Sequence, residues 1–505
     1  MRRRPAAVPQ QTGGPASVPW ERMHPTTGTT RHPLTVTRGY RTDLPFPAAQ
    51  VWDWHTRPGA VVRLTPGLSR MRVTAQADSL RDGTTVFDLP AGLRWEARHD
   101  PAGYSGGHRF TDVCVSSPLR ELTRWRHEHL VEPGTGASAD PSSDQSRGTS
   151  AVTDRITARV PALLLDRIAA YRGRQLTDDL THLAAFRDED ATPLTVAVTG
   201  ASGLVGTRLV ALLGTAGHTV IPLSRHDAPG VRRWDPSSPD PGLLEGVDAV
   251  VHLAGAPIFG RFNRSHMDAV RDSRVGPTRR LAAVAASCGV RTFVSASAVG
   301  FYGARRPEPV EEDAPQGTGF LADVVADWEA DCAVAADAGL RVVNIRTGLV
   351  LAGGSPLLSL LAASSRVGGG RLGAGTQHFP WIGVDDLADI YHRAVVDPQL
   401  HGPVNAVAPE DITEAEFADV LADLQKLRVP LHIPVPGPAP RLLLGKTGAT
   451  ELALADQHAR PGVLDGLGHP YRAGTVRELL LHELLLREPV TGPASGTGSV
   501  TSAIR

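Results

Sequence analysis

The chain has 505 residues, a formal net charge of −1, 41% hydrophobic residues and 21% charged residues, the composition of an ordinary globular protein. This balance gives no reason to expect nucleic acid or a membrane surface as a partner, and no run of about 18 apolar residues predicts a membrane-spanning helix. Cys114, Cys288 and Cys332 fit neither a zinc motif nor a disulfide framework, so we predict no metal site and expect a reducing, cytoplasmic setting.

The first third of the chain has the pattern of an antiparallel α+β domain. Residues 1–33 are predicted to form a flexible tail, and the Gly-, Ser- and Pro-rich stretch 133–150 a disordered loop. Alternating apolar positions predict strands, and two longer stretches predict helices. The predicted strands are 34–37, 71–74, 84–87, 93–96, 122–125 and 151–160, and the predicted helices are 47–54 and 162–186.

This order of elements over residues 34–190 resembles the START-like, polyketide-cyclase-type (SRPBCC) fold, in which a curved antiparallel sheet wraps around a long C-terminal helix. The resemblance rests on element order and not on a motif. It implies an internal cavity that is either open to an apolar ligand or filled by side chains, and the sequence leaves both alternatives open.

A change of pattern at residues 191–193 marks the start of a second domain. Apolar segments then alternate with amphipathic stretches, which indicates a parallel sheet covered by helices on both faces. The predicted strands are 194–199, 219–223, 249–253, 292–296 and 341–345. The prediction is therefore a Rossmann-type α/β domain over 191–404, a small α+β C-terminal domain over 405–488 with a leucine-rich helix at 475–486, and a flexible tail over 489–505.

The most informative motif is the glycine-rich turn after the first of these strands. Gly200 permits a tight turn, Gly203 lets backbone N–H groups approach a pyrophosphate, and Gly206 lets the next helix pack closely against the strand. The start of that helix offers oriented N–H donors and a partial positive charge to the phosphates. The residues predicted to bind the cofactor here are Gly200, Ala201, Ser202, Gly203, Leu204, Val205 and Gly206.

The end of the following strand indicates which dinucleotide is bound. An NAD enzyme usually has Asp or Glu there to accept a hydrogen bond from the ribose 2′-hydroxyl, whereas this chain has Ser224 and Arg225. Arginine suits a 2′-phosphate, which favours NADP(H) over NAD; the alternative is that Arg225 is a solvated loop residue. Three further residues are predicted to pass beside the cofactor: Leu253, Ala254 and Gly255.

These motifs resemble the extended branch of the short-chain dehydrogenase/reductase superfamily, whose members usually carry a catalytic serine and a Tyr-x-x-x-Lys dyad. The resemblance implies that Ser297 is the catalytic serine and places Tyr302 at the substrate-side turn, and we predict both as catalytic. The dyad itself is absent, because its positions hold Leu321 and Val325 and the chain's two lysines lie elsewhere. Neither side chain can transfer a proton, which excludes the standard dyad chemistry.

Several segments together resemble the atypical epimerase-family oxidoreductases, which lack the dyad and carry a C-terminal domain of unknown function, here residues 405–487. Some of these proteins also have a START-like N-terminal domain. The segments that carry the resemblance are 199–206, 253–258, 272–275, 320–322, 327–329, 373–377 and 381–386. Gly383 departs from the pattern, since relatives usually place histidine there.

Other polar residues lie near the predicted cleft, and two of them, Arg274 and Arg306, have two interpretations each. Arg274 reaches a phosphate or an acidic substrate, or forms an ion pair on the helix surface with Asp272. Arg306 either replaces part of the missing positive charge or faces solvent. Asp385 and Asp386 form a carboxylate pair that we predict to cap the helix that follows.

Three further features complete the predicted site. His252 is interpreted as a buried structural histidine because it lies inside an apolar strand. Arg346 and Gly348 resemble positions that line the substrate cleft in the family. Residues 311–313 are predicted to form a solvated acidic loop.

Three functions are compatible with this pattern. The first is an NADP(H)-dependent oxidoreductase or epimerase-like enzyme for an unidentified small molecule, suggested by the glycine turn, Arg225 and Ser297. The second is a non-catalytic NADP(H)-binding regulator whose START-like domain senses an apolar ligand, suggested by the missing dyad. In the third, the START-like domain is the functional unit and the Rossmann domain a scaffold.

Overall fold

The computed structural model describes residues 35–134, 148–187, 192–366, 369–425, 433–435 and 438–486. The two predicted tails lie outside these residues, as do positions 135–147 of the predicted loop.

The N-terminal domain combines an antiparallel sheet with one long helix. In chain order its elements are β1 (Val36–Leu44), α1 (Ala48–Thr56), α2 (Ala60–Arg63), β2 (Arg72–Ala75), β3 (Thr84–Asp88), β4 (Arg94–His99), β5 (Arg109–Cys114), α3 (Leu119–Thr123), β6 (Arg126–Pro133), β7 (Ser150–Ala158) and α4 (Ala162–Ala185). The described strands form a seven-stranded sheet in the order β1-β7-β6-β5-β4-β3-β2. Helix α4 packs on this sheet through Leu165, Ala169, Leu176 and Leu180, all of them buried in two apolar clusters.

Most of the predicted N-terminal elements are confirmed, but one predicted strand is wrong and two observed strands were missed. Residues 122–125 belong to helix α3 and its exit, where Leu122 is exposed and Arg124 has a positive φ of 46°. The short apolar alternation there lies in the connection that turns the chain from β5 into β6. The missed strands are β5 and β6. In β5 the charged Asp112 lies on the same face as the buried Phe110, and in β6 two of the buried positions are His127 and His129, so neither strand shows a regular alternation of apolar and polar residues.

The second domain is built on a parallel sheet. Its elements begin with β8 (Thr195–Thr199), α5 (Leu204–Ala216), β9 (Thr219–Ser224), β10 (Arg232–Arg233), β11 (Ala249–His252), α6 (Arg264–Asp272), α7 (Pro277–Ser287), β12 (Thr292–Ala298), β13 (Arg305–Val310), α8 (Phe320–Asp331), α9 (Ala333–Asp337) and β14 (Arg341–Thr347). They continue with β15 (Leu349–Leu351), α10 (Pro356–Arg366), β16 (Gly369–Leu372), β17 (Trp381–Gly383), α11 (Val384–Val396) and β18 (Gly402–Ala406). All five strands predicted for this domain are confirmed.

In the described part of the chain, the parallel sheet has seven strands in the order β10-β9-β8-β11-β12-β14-β18. The order reverses direction between β8 and β11, and ligands of such sheets bind in the crevice outside the carboxyl ends of the strands at this point. The site predicted from the glycine turn therefore lies where this topology opens a crevice.

The C-terminal segment shares its core with the Rossmann domain. Its elements are α12 (Glu414–Leu424), β19 (Ile433–Val435), α13 (Pro438–Gly448), a π-helical turn (Ala449–Ala453), β20 (Asp456–Ala459), α14 (Gly462–Gly466) and α15 (Val476–Glu483). Strand β18 runs through the boundary predicted at residue 404, and α15 agrees with the helix predicted at 475–486. Within the described ranges, no helix has both the length and the apolar character needed to cross a bilayer.

The N-terminal domain docks on the outer side of α5. Two backbone contacts are so close that only glycine is accommodated: a Cβ on Gly59 would lie 2.3 Å from the carbonyl oxygen of Ala211, and a Cβ on Gly214 would lie 2.4 Å from that of Pro58. Next to them, buried Arg63 binds Asp179 of α4 at 2.6 Å and Asp385 of α11 at 2.6 Å. Both domains are thus joined through the helix that follows the glycine turn.

Candidate functional site

The glycine turn between β8 and α5 has the geometry that its sequence predicts. Gly200 has a φ of +66°, and a Cβ there would lie 2.9 Å from the carbonyl carbon of Leu253, so both conformation and space require glycine. A Cβ on Gly206 would lie 2.2 Å from the carbonyl oxygen of Gly200. Gly206 therefore brings the helix against the turn itself, while the prediction had it packing against the strand.

The start of α5 is open to an anion. Its N-cap residue, Gly203, is a glycine and has no side chain that could accept hydrogen bonds from the first turn. Because α5 follows directly on β8, this first turn lies at the carboxyl edge of the sheet. Orphan N–H groups at a helix start bind phosphate through hydrogen bonds and the helix dipole. Of the twelve residues predicted to bind the cofactor, seven lie here: residues 200–203 form the turn and residues 204–206 begin α5.

Basic side chains lie at the neighbouring edge of the sheet. Ser224 ends β9, and Arg225 follows it as an exposed residue. Strand β10 adds a second arginine, because Arg233 pairs with Ser224 in parallel register and is itself exposed. The sequence reasoning missed Arg233, since a two-residue strand leaves no periodic signal.

On the other side of the turn, the ends of β8 and β11 are held together by a buried polar pair. The Thr199 hydroxyl accepts hydrogen bonds from the backbone N–H groups of Leu253 (3.0 Å) and Ala254 (3.1 Å) and bonds to Nδ1 of His252 at 2.8 Å. The other ring nitrogen of His252 lies 3.1 Å from the Thr278 hydroxyl. Burial lowers the pKa of His252 to about 4, so this residue is a neutral structural histidine, as interpreted from the sequence.

Arg274 is a buried cation beside Gly255. Only 7% of the residue is exposed, and a Cβ on Gly255 would lie 2.9 Å from its guanidinium carbon. Its Nη1 donates to the Val270 carbonyl (3.1 Å) and to the Ser273 hydroxyl (3.2 Å), and its Nε has no partner among the described residues. It forms no ion pair with any carboxylate in the part of the chain that the structure describes. Burial lowers its pKa to about 10, which leaves it charged at neutral pH and able to bind an anion.

Ser297 lies in a hydrogen-bonded row across three neighbouring strands. In register, Ser297 of β12 is opposite Arg346 of β14, which is opposite Asn405 of β18. The Ser297 hydroxyl donates to Oε1 of Glu329 on α8 at 2.5 Å, and Arg346 donates to both oxygens of that carboxylate at 2.8 Å. The structure thus brings the predicted serine together with an ion pair that the sequence did not reveal.

Tyr302 belongs to the same buried network. Its hydroxyl donates to Asn405 Oδ1 at 2.8 Å and accepts from Nη1 of Arg346 at 2.9 Å, and burial raises its pKa. Arg346 lies over the ring of Phe301 at 3.6 Å. Arg306 is held nearby through its Nε, which donates to the Tyr302 carbonyl oxygen at 3.0 Å. The catalytic roles of Ser297 and Tyr302 stay predictions, and their contacts define how tightly both are held.

The positions of the missing dyad form an apolar contact. Leu321 and Val325 on α8 are buried and face Gly300, whose added Cβ would lie 3.5 Å from the Cβ of Leu321. The start of α8 is instead capped by Glu451, which accepts hydrogen bonds from the backbone N–H groups of Phe320 and Leu321. Helix α8 therefore supplies Glu329, and no acid–base pair, to this edge of the sheet.

Two sequence interpretations of acidic residues are wrong. Asp385 and Asp386 do not cap α11, whose N-cap is Gly383; both are buried, Asp385 binding Arg208 at 2.6 Å and Asp386 accepting from the Arg472 backbone N–H at 2.6 Å. Within the predicted solvated loop, Glu312 is buried because its carboxylate accepts backbone hydrogen bonds from Asn405 and Val463. A residue's neighbours in sequence did not reveal these distant partners.

Gly383 has a packing explanation for its departure from the family pattern. A Cβ there would lie 2.8 Å from Cδ1 of Leu479 on α15 and 2.9 Å from Oδ2 of Asp386. A histidine at this position would therefore need α15 to move.

Sequence and structure similarity agree with this geometry. Residues 196–406 match the NAD dependent epimerase/dehydratase family, and residues 435–483 match a domain of unknown function (DUF1731). The chain is 38% identical over 291 residues to Epimerase family protein Mb2239 of Mycobacterium bovis, covering 56% of this chain and 96% of that protein.

Two crystal structures are similar. One, described as the nucleoside-diphosphate sugar epimerase from Corynebacterium glutamicum, has a TM-score of 0.75 and 45% identity and covers 88% of this chain and 90% of its own. The human epimerase family protein SDR39U1 with NADPH has a TM-score of 0.53 and 31% identity and covers 58% of this chain and 99% of its own. The glycine turn, the parallel sheet and these similarities together place the chain in the NAD dependent epimerase/dehydratase family.

Proposed function

We propose that the chain is an NADP(H)-binding oxidoreductase or epimerase-like enzyme that acts on an unidentified small molecule. The observation that carries the proposal is the open start of α5 at the glycine turn, with exposed Arg225 at the adjoining edge of the sheet. The helix start would bind the pyrophosphate, and the arginine would bind a 2′-phosphate.

NADP(H) is preferred to NAD for two reasons. The strand end beside Ser224 carries Arg225 in place of an acidic residue, so a 2′-phosphate would meet a positive charge there. Arg233 lies next to it but is paired with Asp227 at 3.4 Å. The human relative, which covers 58% of this chain, was crystallised with NADPH.

The chemistry would differ from that of the dyad enzymes. Ser297 stays the predicted group for orienting a substrate oxygen, and Tyr302 stays a predicted acid or base, although each must first leave its bond to Glu329 or Asn405. Arg274 adds a charge beside the predicted cofactor that favours an anionic substrate group. A diphosphate is such a group, in keeping with the description of the Corynebacterium relative as a nucleoside-diphosphate sugar epimerase.

Nucleotide titration tests the cofactor assignment. We expect NADPH to bind more tightly than NADH, and Arg225→Glu to weaken NADPH binding by about ten-fold or more, the equivalent of about 1.4 kcal/mol, with little effect on NADH. Arg81→Glu, which changes an exposed arginine of the N-terminal domain, is the matched control and should leave both affinities unchanged. Equal affinities of the unaltered chain for the two nucleotides would contradict the assignment.

A non-catalytic regulator is the alternative, and the apolar contact at Leu321 and Val325 is the observation that favours it. Turnover of NADPH against carbonyl compounds and nucleotide sugars distinguishes the two. For an enzyme, Ser297→Ala should lower kcat with NADPH affinity intact. If no substrate is turned over and Ser297→Ala has no cellular effect, the regulator is the better description.

We infer that residues 34–190 form a START-like domain, because the order of β1 to β7 and the long helix α4 agree with that fold. An apolar ligand there stays a prediction, as does the cytoplasmic location suggested by the cysteines. The face of the sheet toward α4 carries charged residues as well as apolar ones, so a ligand bound there would need a polar group.

A further inference from the structure

Four ionisable side chains lie together on the inner face of the N-terminal sheet. Asp112 of β5 is directly opposite His127 of β6, and Asp154 of β7 is directly opposite His129 of β6. His127 and His129 are two residues apart, so both point to the same face of the strand. All four are buried or nearly so, between the two apolar clusters against which α4 packs.

Asp154 accepts a hydrogen bond from each histidine. One of its oxygens lies 2.9 Å from Nε2 of His127 and 2.8 Å from Nδ1 of His129. Its charge is balanced by Arg172 of α4, whose Nε lies 3.7 Å from the other oxygen. Nη2 of Arg172 also lies 3.5 Å from Nδ1 of His129, which is too far to compete with the 2.8 Å contact. These contacts put the N–H of His127 on Nε2 and that of His129 on Nδ1.

The lone pairs of the other two ring nitrogens then face the same atom, Oδ2 of Asp112. Nδ1 of His127 lies 3.8 Å, and Nε2 of His129 lies 3.3 Å, from Oδ2 of Asp112. Oδ1 of the same carboxylate is held by the indole N–H of Trp125 at 3.3 Å. Two lone pairs facing a carboxylate oxygen repel one another unless a cation lies between them. A neutral imidazole has only one N–H, so neither ring can supply that cation without an added proton.

We propose that Asp112, His127 and His129 bind a divalent first-row transition-metal ion of the zinc or iron(II) type. One ligand atom from each residue lies within 4.8 Å of the others. A small movement of these side chains would bring all three atoms to the distance of about 2.0–2.2 Å at which such an ion is bound. Two imidazole nitrogens and one carboxylate oxygen suit these metals and leave coordination positions open. Asp154 would orient both histidines through their second nitrogen, as carboxylates around metal sites do.

The competing occupant is a proton on His129. A doubly protonated His129 would donate from Nε2 to Asp112 and from Nδ1 to Asp154. That proton would leave Nδ1 of His127, which lies 3.8 Å from the same carboxylate oxygen, without a partner to bind. A metal ion and a proton make opposite predictions for the cobalt titration that follows.

Two other histidine–carboxylate groups are poorer metal sites. The rings of His378 and His458 stack face to face at 3.9 Å, which turns their nitrogens side by side rather than toward a common point. The group of Asp385, His482 and Glu483 already holds two cations, because Arg63 and Arg208 bind Asp385. Neither arrangement has converging free lone pairs.

Metal titration of the full chain tests the proposal. After removal of metal with EDTA, Co²⁺ is titrated while its d–d absorption is followed, and bound Zn²⁺ is counted by mass spectrometry after gel filtration. We expect one tightly bound ion per chain, lost in Asp112→Asn and His127→Gln. Asp154→Asn should weaken binding by about 10- to 100-fold while the ion still binds.

Two controls make the result specific. His99→Gln alters a buried histidine of the neighbouring strand β4 whose Nδ1 bonds to the Ser79 carbonyl oxygen at 2.7 Å, and His378→Gln alters the stacked pair. Both variants should bind Co²⁺ like the unaltered chain. Thermal unfolding checks the fold: Zn²⁺ should raise the Tm of the unaltered chain and of both controls, but not of the ligand variants. The proposal is overturned if the unaltered chain binds no ion at micromolar concentration, or if Asp112→Asn binds it equally well.

Discussion

Removing the arginine at the junction of the two domains should destabilise the protein strongly. Arg63 is fully buried and donates to Asp179 at 2.6 and 2.8 Å and to Asp385 at 2.6 Å. Arg63→Met keeps the length of the side chain but leaves two buried carboxylates short of one cation. Breaking a buried ion pair in this way typically costs about 3–5 kcal/mol.

The lower end of that range applies here, because each carboxylate keeps a second arginine. Asp179 is also bound by Arg472 at 2.6 Å, and Asp385 by Arg208 at 2.6 Å. We therefore expect the free energy of unfolding to fall by about 3 kcal/mol, measured by urea denaturation with tryptophan fluorescence and with circular dichroism as a second probe.

An exposed ion pair provides the control. Arg72 binds Asp88 at 3.1 Å on the surface of the N-terminal sheet, with side chains 77% and 49% exposed, and Arg72→Met should change the free energy of unfolding by less than about 1 kcal/mol. If Arg63→Met lowers the free energy of unfolding by no more than Arg72→Met does, the buried ion pairs do not hold the domains together and the reasoning from burial is refuted.

Three further changes test other parts of the structure. Gly206→Ala places a Cβ 2.2 Å from the Gly200 carbonyl oxygen, so the turn must shift and NADPH affinity should fall by about ten-fold or more, with an unchanged circular dichroism spectrum. Glu329→Gln leaves buried Arg346 without its carboxylate and should lower the free energy of unfolding by about 3 kcal/mol in urea; no change would show that Ser297 and Tyr302 rest on other contacts. Burial, with the nearby carboxylate of Asp389, raises the pKa of Asp386 to about 8. The folded chain therefore keeps a proton that the unfolded chain has released at neutral pH, and this stability, full at low pH, is lost as pH rises through 8. Between pH 7 and 8.5 the free energy of unfolding of the unaltered chain should fall by about 1 kcal/mol relative to that of Asp386→Asn, a comparison in which the titration of the histidines cancels.

The sequence predicted the Rossmann domain well because its signals are local. A strand buried on both faces is an apolar run, and the glycine turn requires glycine for steric reasons that act within a few residues. Strands β8, β9, β11, β12 and β14 and the turn at Gly200 were therefore predicted from the sequence. Strand β5 was missed because Asp112 faces inward, where polar partners from β6 compensate it.

Buried charges were beyond sequence reasoning because their partners lie far along the chain. Asp385 was predicted to cap a helix, as an acidic residue at a helix start often does, yet its partner Arg63 is 322 residues away in sequence. The row of Ser297, Arg346 and Asn405 is equally invisible until the register of three parallel strands is known. Composition can show that a charge is present, but only the fold shows what neutralises it.

Helix α5 carries both a local sequence motif at its start and long-range contacts to the N-terminal domain along its length. Its first turn is shaped by Gly203 and Gly206, which belong to the glycine motif, whereas Gly214 near its end belongs to no motif. In the structure, Gly214 admits the Pro58 carbonyl oxygen, and Arg208, between the two ends, reaches across to the Val62 carbonyl oxygen at 3.0 Å. A shift of the N-terminal domain would therefore act on the same helix whose start is predicted to bind the pyrophosphate. The free energy of unfolding and the NADPH affinity should accordingly be measured together in variants of the domain junction and in variants of the glycine turn.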